Sequence, residues 1–294
     1  MGVFDQLFGC APKTAATTEP ATTAAAPSSA EVAPAAAATS SSTAQSIPPI
    51  CTSGAPAGAL AVYDKLLVDG DLAKTTDHIN SYLPICWPQA TPRPVQGWSG
   101  IVAELQSYSS IQTLVLVLHG QQGQMDIYKD STTRQPKYCS EVAGLFAKCA
   151  PEVKGEIVLD NCRTGANPKE LISLLDVFRA PKITAWNYYM VISVLSVTPQ
   201  NVSQITIPEM YLHSANTETP QSIAASSGGV FTLVYQWFRD VEDRTPPTAS
   251  SSTKDFMPAS GAVEENFTRT EALSMTVIGA PIETTELVKV TVTR

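Results

Sequence analysis

Histidine is scarce in this chain: 294 residues carry three, His78, His119 and His213, so imidazole chemistry must use one of them. Charge is scarce as well. Only 16% of the residues are Asp, Glu, Lys or Arg, and the formal balance is −8. An acidic chain with few cations is poorly suited to broad contact with nucleic-acid phosphates or anionic lipid. No run of eighteen apolar residues occurs, so no transmembrane segment is expected. The six cysteines (Cys10, Cys51, Cys86, Cys139, Cys149, Cys162) form no CxxC pair and no zinc-type spacing with the histidines. No metal or cofactor is therefore expected. Nor is there a basic, long-enough apolar leader of the export kind, so the cysteines read as reduced thiols in a cytoplasmic protein.

Large side chains are missing from one stretch in particular. Of the 40 residues 11–50, 33 are Ala, Thr, Ser or Pro, and only Lys13, Glu19 and Glu31 are charged. Such a stretch cannot offset the entropy of ordering its backbone, and a disordered tether is expected over 11–56. Before it, residues 1–10 carry a short apolar stripe (Val3, Phe4, Leu7, Phe8) that reads as a segment docking to a protein partner or as a frayed terminus. Gly2 invites comparison with a myristoylation signal, but Gln6 stands where Ser or Thr is required.

What remains alternates. Residues 57–66 read as a first strand or a short helix, 75–83 as a helix, and 84–94 as a proline-rich loop. Residues 97–108 have helical spacing, with Trp98, Ile101, Val102 and Leu105 on one face. Residues 112–118 (QTLVLVL) form a continuous apolar run, the mark of a strand buried on both faces. A polar loop over 121–137, a helix over 138–150, a buried strand over 156–159 and a helix over 168–178 follow. A strand is expected over 183–194 and a helix over 229–241. The tail, 246–294, reads as a linker and a β-hairpin made of 273–278 and 286–292. Strands and helices in alternation predict an α/β domain over 57–245 with a mainly parallel sheet covered on both faces.

In such sheets functional groups collect beyond the carboxyl ends of the strands. His119 follows one buried strand and Cys162 follows the next. If the strands are neighbours, a thiol and an imidazole meet over one substrate, as a cysteine nucleophile and its acid/base require. The N–H groups of Gly120 and Cys162 would supply an oxyanion hole.

These residues resemble the caspase-like cysteine peptidase superfamily. Strand–His119–Gly120 followed by strand–Asp160–Asn161–Cys162–Arg163–Thr164–Gly165 is similar to the metacaspase-type His-Gly … Asp-x-Cys-x-x-Gly motif. The resemblance covers roughly residues 111–194. It implies a three-layer caspase-like fold and a thiol protease that hydrolyses peptide bonds by a Cys162–His119 dyad. Asp160 would line the S1 pocket and favour Arg or Lys at P1. Asp126 and Asp130 echo the acidic elements after the His only loosely, so no calcium dependence is transferred. The proline-rich loop stands where a second strand is usual.

Plainer readings compete. A cysteine after a strand is often only a small core residue, and Asp160 can equally cap the turn that follows it. His213 is the rival base; His78 beside Asp77 reads as a surface residue, and Cys139 and Cys149 as core. An α/β-hydrolase would need Gly-x-Ser-x-Gly, which is absent. A caspase-like scaffold without activity is the alternative function.

Overall fold

A computed structural model describes residues 6–7, 47–69, 82–84, 86–197, 231–239, 257–258, 263–274 and 287–294. In chain order the strands are β1 (Gln6–Leu7), β2 (Ala55–Asp64), β3 (Ala90–Val95), β4 (Tyr108–Val117), β5 (His119–Gln121), β6 (Gln124–Tyr128), β7 (Arg134–Tyr138), β8 (Glu152–Asp160), β9 (Lys182–Trp186), β10 (Tyr189–Val197), β11 (Phe231–Arg239), β12 (Met257–Pro258), β13 (Val263–Thr268) and β14 (Leu287–Thr293). The helices are α1 (Lys65–Asp69), α2 (Gly97–Gln106), α3 (Cys139–Gly144), α4 (Pro168–Val177) and α5 (Arg269–Ser274).

Seven strands form the central sheet, in the order β13-β14-β9-β8-β4-β2-β3. All neighbours run parallel except β14 and β9. The protein is thus α/β with a mostly parallel sheet. β4 sits in the middle because its apolar run has something to bury on each side. Leu114 and Leu116 face one core with Leu60, Val62, Ile157 and Leu159; Val115 and Val117 face the other with Ala61 and Val158. Helices α2, α3 and α4 supply the first core through residues such as Trp98, Ile101, Leu105, Val142 and Leu171. Leu67 of α1, with Tyr82 and Leu83, caps the second. Crossovers toward β3 and toward β9 lie on opposite faces, as a single right-handed rule demands when the chain winds in both directions.

Several sequence expectations need correction. The proline-rich segment contains a strand: β3 pairs parallel with β2 despite Pro92 and Pro94. It lies at the sheet edge, where the missing N–H groups face no partner among the described residues. The polar 121–137 loop is instead a three-stranded antiparallel sheet of β5, β6 and β7, turned through Gln122-Gly123 with Gly123 at φ +72°. The expected strand over 183–194 breaks at Asn187-Tyr188 into β9 and β10, which belong to different sheets. The expected 229–241 helix is β11, antiparallel to β10. Its Phe, Thr, Val, Tyr and Trp content favours a pleated strand over a helix. The helix expected over 138–150 ends at Gly144.

The tail does not form the expected hairpin. Leu273 belongs to α5, residues 275–278 lie outside the described residues, and β14 inserts between β13 and β9. Arg269 and Arg294 both ion-pair with Asp176 at the end of α4. The tether over 11–56 is described only from residue 47, and there it is tied down. Cys51 N donates to Ala150 O at 3.0 Å, Ala150 N donates to Pro49 O at 3.1 Å, and Cys51 is disulfide-bonded to Cys149. The reading of six reduced thiols is therefore wrong for this pair. The alternating backbone bonds bring the two segments into register and leave the two side chains facing each other. Cys149 leaves the core assigned to it; Cys139 is buried, as expected. Of the N-terminal segment, β1 pairs antiparallel with Ile192 and Ser193 of β10. His78, most of the 75–83 helix and His213 lie outside the described residues. Among the described residues no helix is long and apolar enough to cross a membrane.

Candidate active site

Across the sheet, the five strands that precede β10 and run parallel read 2-1-3-4-5 when numbered among themselves in chain order. This is a doubly wound order whose direction reverses between β2 and β4. Ligand crevices in such sheets lie at the carboxyl ends of the strands flanking that reversal. The ends in question are Asp64 of β2, the Leu118-His119 step after β4 and Asp160 of β8, and Val117 pairs directly with Asp160.

His119 opens β5 and is 2% exposed; Cys162 is 3% exposed. Their segments touch. A Cβ on Gly120 would stand 2.6 Å from the Cys162 carbonyl oxygen and 2.8 Å from Asn161 Cβ. Only glycine allows β5 to lie this close to the 161–164 loop. Asn161 donates from Nδ2 to the His119 carbonyl at 3.4 Å, and Thr164 Oγ1 donates to Gln124 O at 3.1 Å, so the same loop is bound to both β5 and β6. The ring of Tyr128 meets His119 edge-on at 5.6 Å between centroids and belongs to the apolar cluster that contains Cys162.

Two buried carboxylates surround the imidazole. Asp64 caps α1 by accepting Leu66 N at 3.0 Å, and its other oxygen accepts Tyr128 N at 2.7 Å. Burial still raises its pKa to about 6, against the opposing pull of those bonds and of His119. Asp126 stands opposite His119 in the β5–β6 ladder and ion-pairs with Arg134 at 3.4 Å. Burial raises its pKa as well, while Arg134 and His119 pull it down. Both carboxylates therefore interact electrostatically with His119.

Arg163, the residue after Cys162, has φ 51°, in the left-handed region. A non-glycine residue there costs about 1–2 kcal/mol. It is held by its N–H to Tyr188 O at 3.0 Å and by its guanidinium over the Tyr189 ring at 5.1 Å. Strain of this kind, maintained by its surroundings, is concentrated at functional loops.

Asp160 is 1% exposed and engaged in side-chain bonds rather than in capping its own turn. Tyr82 OH and Trp87 Nε1 donate to Oδ2, and Trp186 Nε1 donates to Oδ1 at 2.9 Å. Cys86 lies beside this group, and burial together with Asp160 pushes its thiol far above its ordinary pKa, so it stays protonated. Asp130 is not in the site; it folds the exposed turn onto Thr132 and Thr133.

The structure thus brings His119, Gly120, Asp160 and Cys162 to one end of the sheet. It adds Asp64, Tyr82, Trp87, Tyr128, Asn161 and Trp186, which the sequence reading missed. Asp64 and Trp186 carry a usable signal, since each ends a buried strand exactly as Asp160 does. Tyr82 and Trp87 carry none, because their place depends on how the β2–β3 crossover packs. The arrangement is that of an α/β protein with a thiol, an imidazole and three carboxylates gathered at its topological switch point. No known family model matches the chain, and no curated protein matches it.

Proposed function

We propose that the chain is a cysteine endopeptidase of caspase-like type, cleaving after a basic residue. The observation that carries this reading is the seating of His119-Gly120 on the 161–164 loop at the reversal of the sheet. In the reaction, Cys162 gives its thiol proton to His119 and its Sγ attacks the scissile carbonyl carbon, while the backbone N–H groups of Gly120 and Cys162 take the oxyanion. The C–N bond breaks as His119 passes a proton to the leaving amine, leaving a thioester on Cys162. Water, giving its proton to His119, then attacks the thioester; the C–S bond breaks, the acid product leaves, and His119 returns the proton to the Cys162 thiolate. The fields of Asp64 and Asp126 support the imidazolium that precedes proton delivery. Asp160 supports a basic P1 residue, because among the described residues its carboxylate meets neutral donors only.

The test is cleavage of Arg- and Lys-P1 fluorogenic peptides by the wild type, by Cys162→Ala and by His119→Ala. Turnover that both substitutions abolish supports the proposal; turnover that survives Cys162→Ala removes it. One observation favours the scaffold reading: thiol and imidazole are both almost fully buried. Under the peptidase reading this closure calls for an activating cut, and Lys129, in the exposed turn between β6 and β7, is the basic site offered. Shortened chains in the wild type that are absent from Cys162→Ala are then expected. Inactivity of both the intact and the nicked chain would leave the scaffold. The Cys51–Cys149 bond supports an oxidising compartment over the cytoplasm.

A further inference from the structure

The two carboxylates that interact with His119 are committed differently. Asp64 accepts Leu66 N at one oxygen and Tyr128 N at the other, so it clamps β2 and α1 to β6. Asp126 is also buried, 6% exposed, and its Oδ2 stands 3.4 Å from Arg134 Nε. Its Oδ1 is closed to solvent and accepts no hydrogen bond from the described residues. The N–H groups of Ile127 and Gln135 pull its pKa down against burial without bonding Oδ1. A buried charged acceptor left without a donor is costly, and in a native structure it calls for a role. Its position supplies one. Asp126 is the residue directly opposite His119 in the antiparallel β5–β6 ladder. The side chains of such a pair leave the same face of the ladder, from Cβ atoms about 5 Å apart. Tyr128, two residues further along that face, already meets the His119 ring edge-on at 5.6 Å.

We infer that Asp126 is the positioning residue for His119: its Oδ1 accepts the N–H of the imidazole nitrogen on its side, while Arg134 holds Oδ2. Hydrogen bonds of this kind are often open in a resting site and close in the working one, so a rotation of either side chain completes it. The ring is then kept in the tautomer whose other nitrogen is bare. The catalytic consequence rests on the peptidase reading: the bare nitrogen takes the Cys162 thiol proton. The imidazolium so formed carries both N–H groups, one of them still on Oδ1. The positioning itself does not depend on cleavage. Ionisable groups on the elements packed around the ring are Asp64 at the end of β2, Asp126 and Tyr128 on β6, Arg134 on β7 and Cys162 after β8. Of these, Asp126 combines a place opposite the ring with an uncommitted acceptor.

The experiment uses the full chain carrying Cys162→Ala and labelled with ¹⁵N-histidine, so that the readout needs no turnover. Long-range ¹H–¹⁵N correlation resolves the three imidazoles, and His119→Gln identifies the one in question. A neutral His119 ring held as a single tautomer is expected. Asp126→Asn should invert that tautomer, because Arg134 keeps the amide oxygen and turns the NH2 donor toward the ring. Asp126→Ala offers no acceptor and should leave the two tautomers mixed, which serves if the amide variant does not fold. Asp64→Asn should leave the tautomer unchanged. Mixed tautomers in the starting chain, a tautomer unmoved by both Asp126 variants, or inversion by Asp64→Asn overturns the inference. With Cys162 restored, Asp126→Asn should lower kcat on Arg- or Lys-P1 peptides by at least about a hundredfold, with KM little changed. Tautomer inversion in a chain that cleaves no such peptide when Cys162 is present removes the peptidase reading and leaves the positioning. Cleavage by Asp126→Asn with an unchanged kcat does the reverse.

Discussion

Asp64 is fully buried at the end of β2, where it interacts electrostatically with His119. Its folded pKa of about 6 lies above the unfolded value near 3.8. Between these values the folded chain binds the extra proton, so this group's contribution to stability is fully present below pH 4 and is lost as the pH rises through 6. Two pKa units correspond to about 3 kcal/mol. Asp64→Asn cannot ionise. Urea unfolding of the wild type and this variant at pH 4, 5, 6 and 7 should therefore show the variant gaining on the wild type by up to about 3 kcal/mol as pH rises to 6. A difference independent of pH would mean that Asp64 is ionised in the folded chain throughout that range. The same residue bears on catalysis under the proposed function: once ionised, it supports the positive charge on His119.

At the level of elements, the site depends on how closely β5 lies against the loop after β8. Gly120 is the point of contact, and a methyl group there meets backbone that cannot swing aside. Gly120→Ala should lower unfolding stability by about 2 kcal/mol, the scale of overpacking in a closed interior. It should also separate His119 from Cys162. Gly58→Ala in β2 is the matched control, since a Cβ there meets nothing within 4 Å. Equal urea midpoints for the two variants would show that β5 is free to move away. The three-stranded sheet of β5, β6 and β7 matters for the same reason: it carries His119, Asp126 and Tyr128 on adjoining strands and presents them to one loop.

Two long-range ties act on the whole molecule. The C-terminal strand β14 completes the central sheet and Arg294 reaches Asp176, so the last residues of the chain are part of the α/β core. At the other end, Cys51–Cys149 closes a loop with a sequence separation of 98. Constraining a loop of that size in the unfolded chain is worth about 4–5 kcal/mol. A Cys51→Ala/Cys149→Ala double variant should unfold at correspondingly lower urea than the oxidised wild type, and should match the reduced wild type. Peptide mapping without reductant should recover the two cysteines in one linked fragment. Their recovery as separate alkylated peptides would rule out the bond.

Much of this was legible in the chain itself. The continuous apolar run of β4 could only be a strand buried on both faces, and the alternation around it required a mostly parallel sheet. His119, Asp160 and Cys162 follow from that, because the ends of buried strands are where polar groups escape the core. Pattern failed where the same residues serve two structures. An edge strand tolerates prolines that elsewhere mean a loop, and β11 has apolar residues close enough to pass for a helix. Contacts between distant segments were beyond the sequence altogether. The pairing of Cys51 with Cys149, the insertion of β14 beside β9 and the meeting of Tyr82, Trp87 and Trp186 on Asp160 all depend on which crossover packs on which face. Local sequence sets periodicity and turn chemistry; the partners of a side chain are chosen only when the whole sheet closes around it.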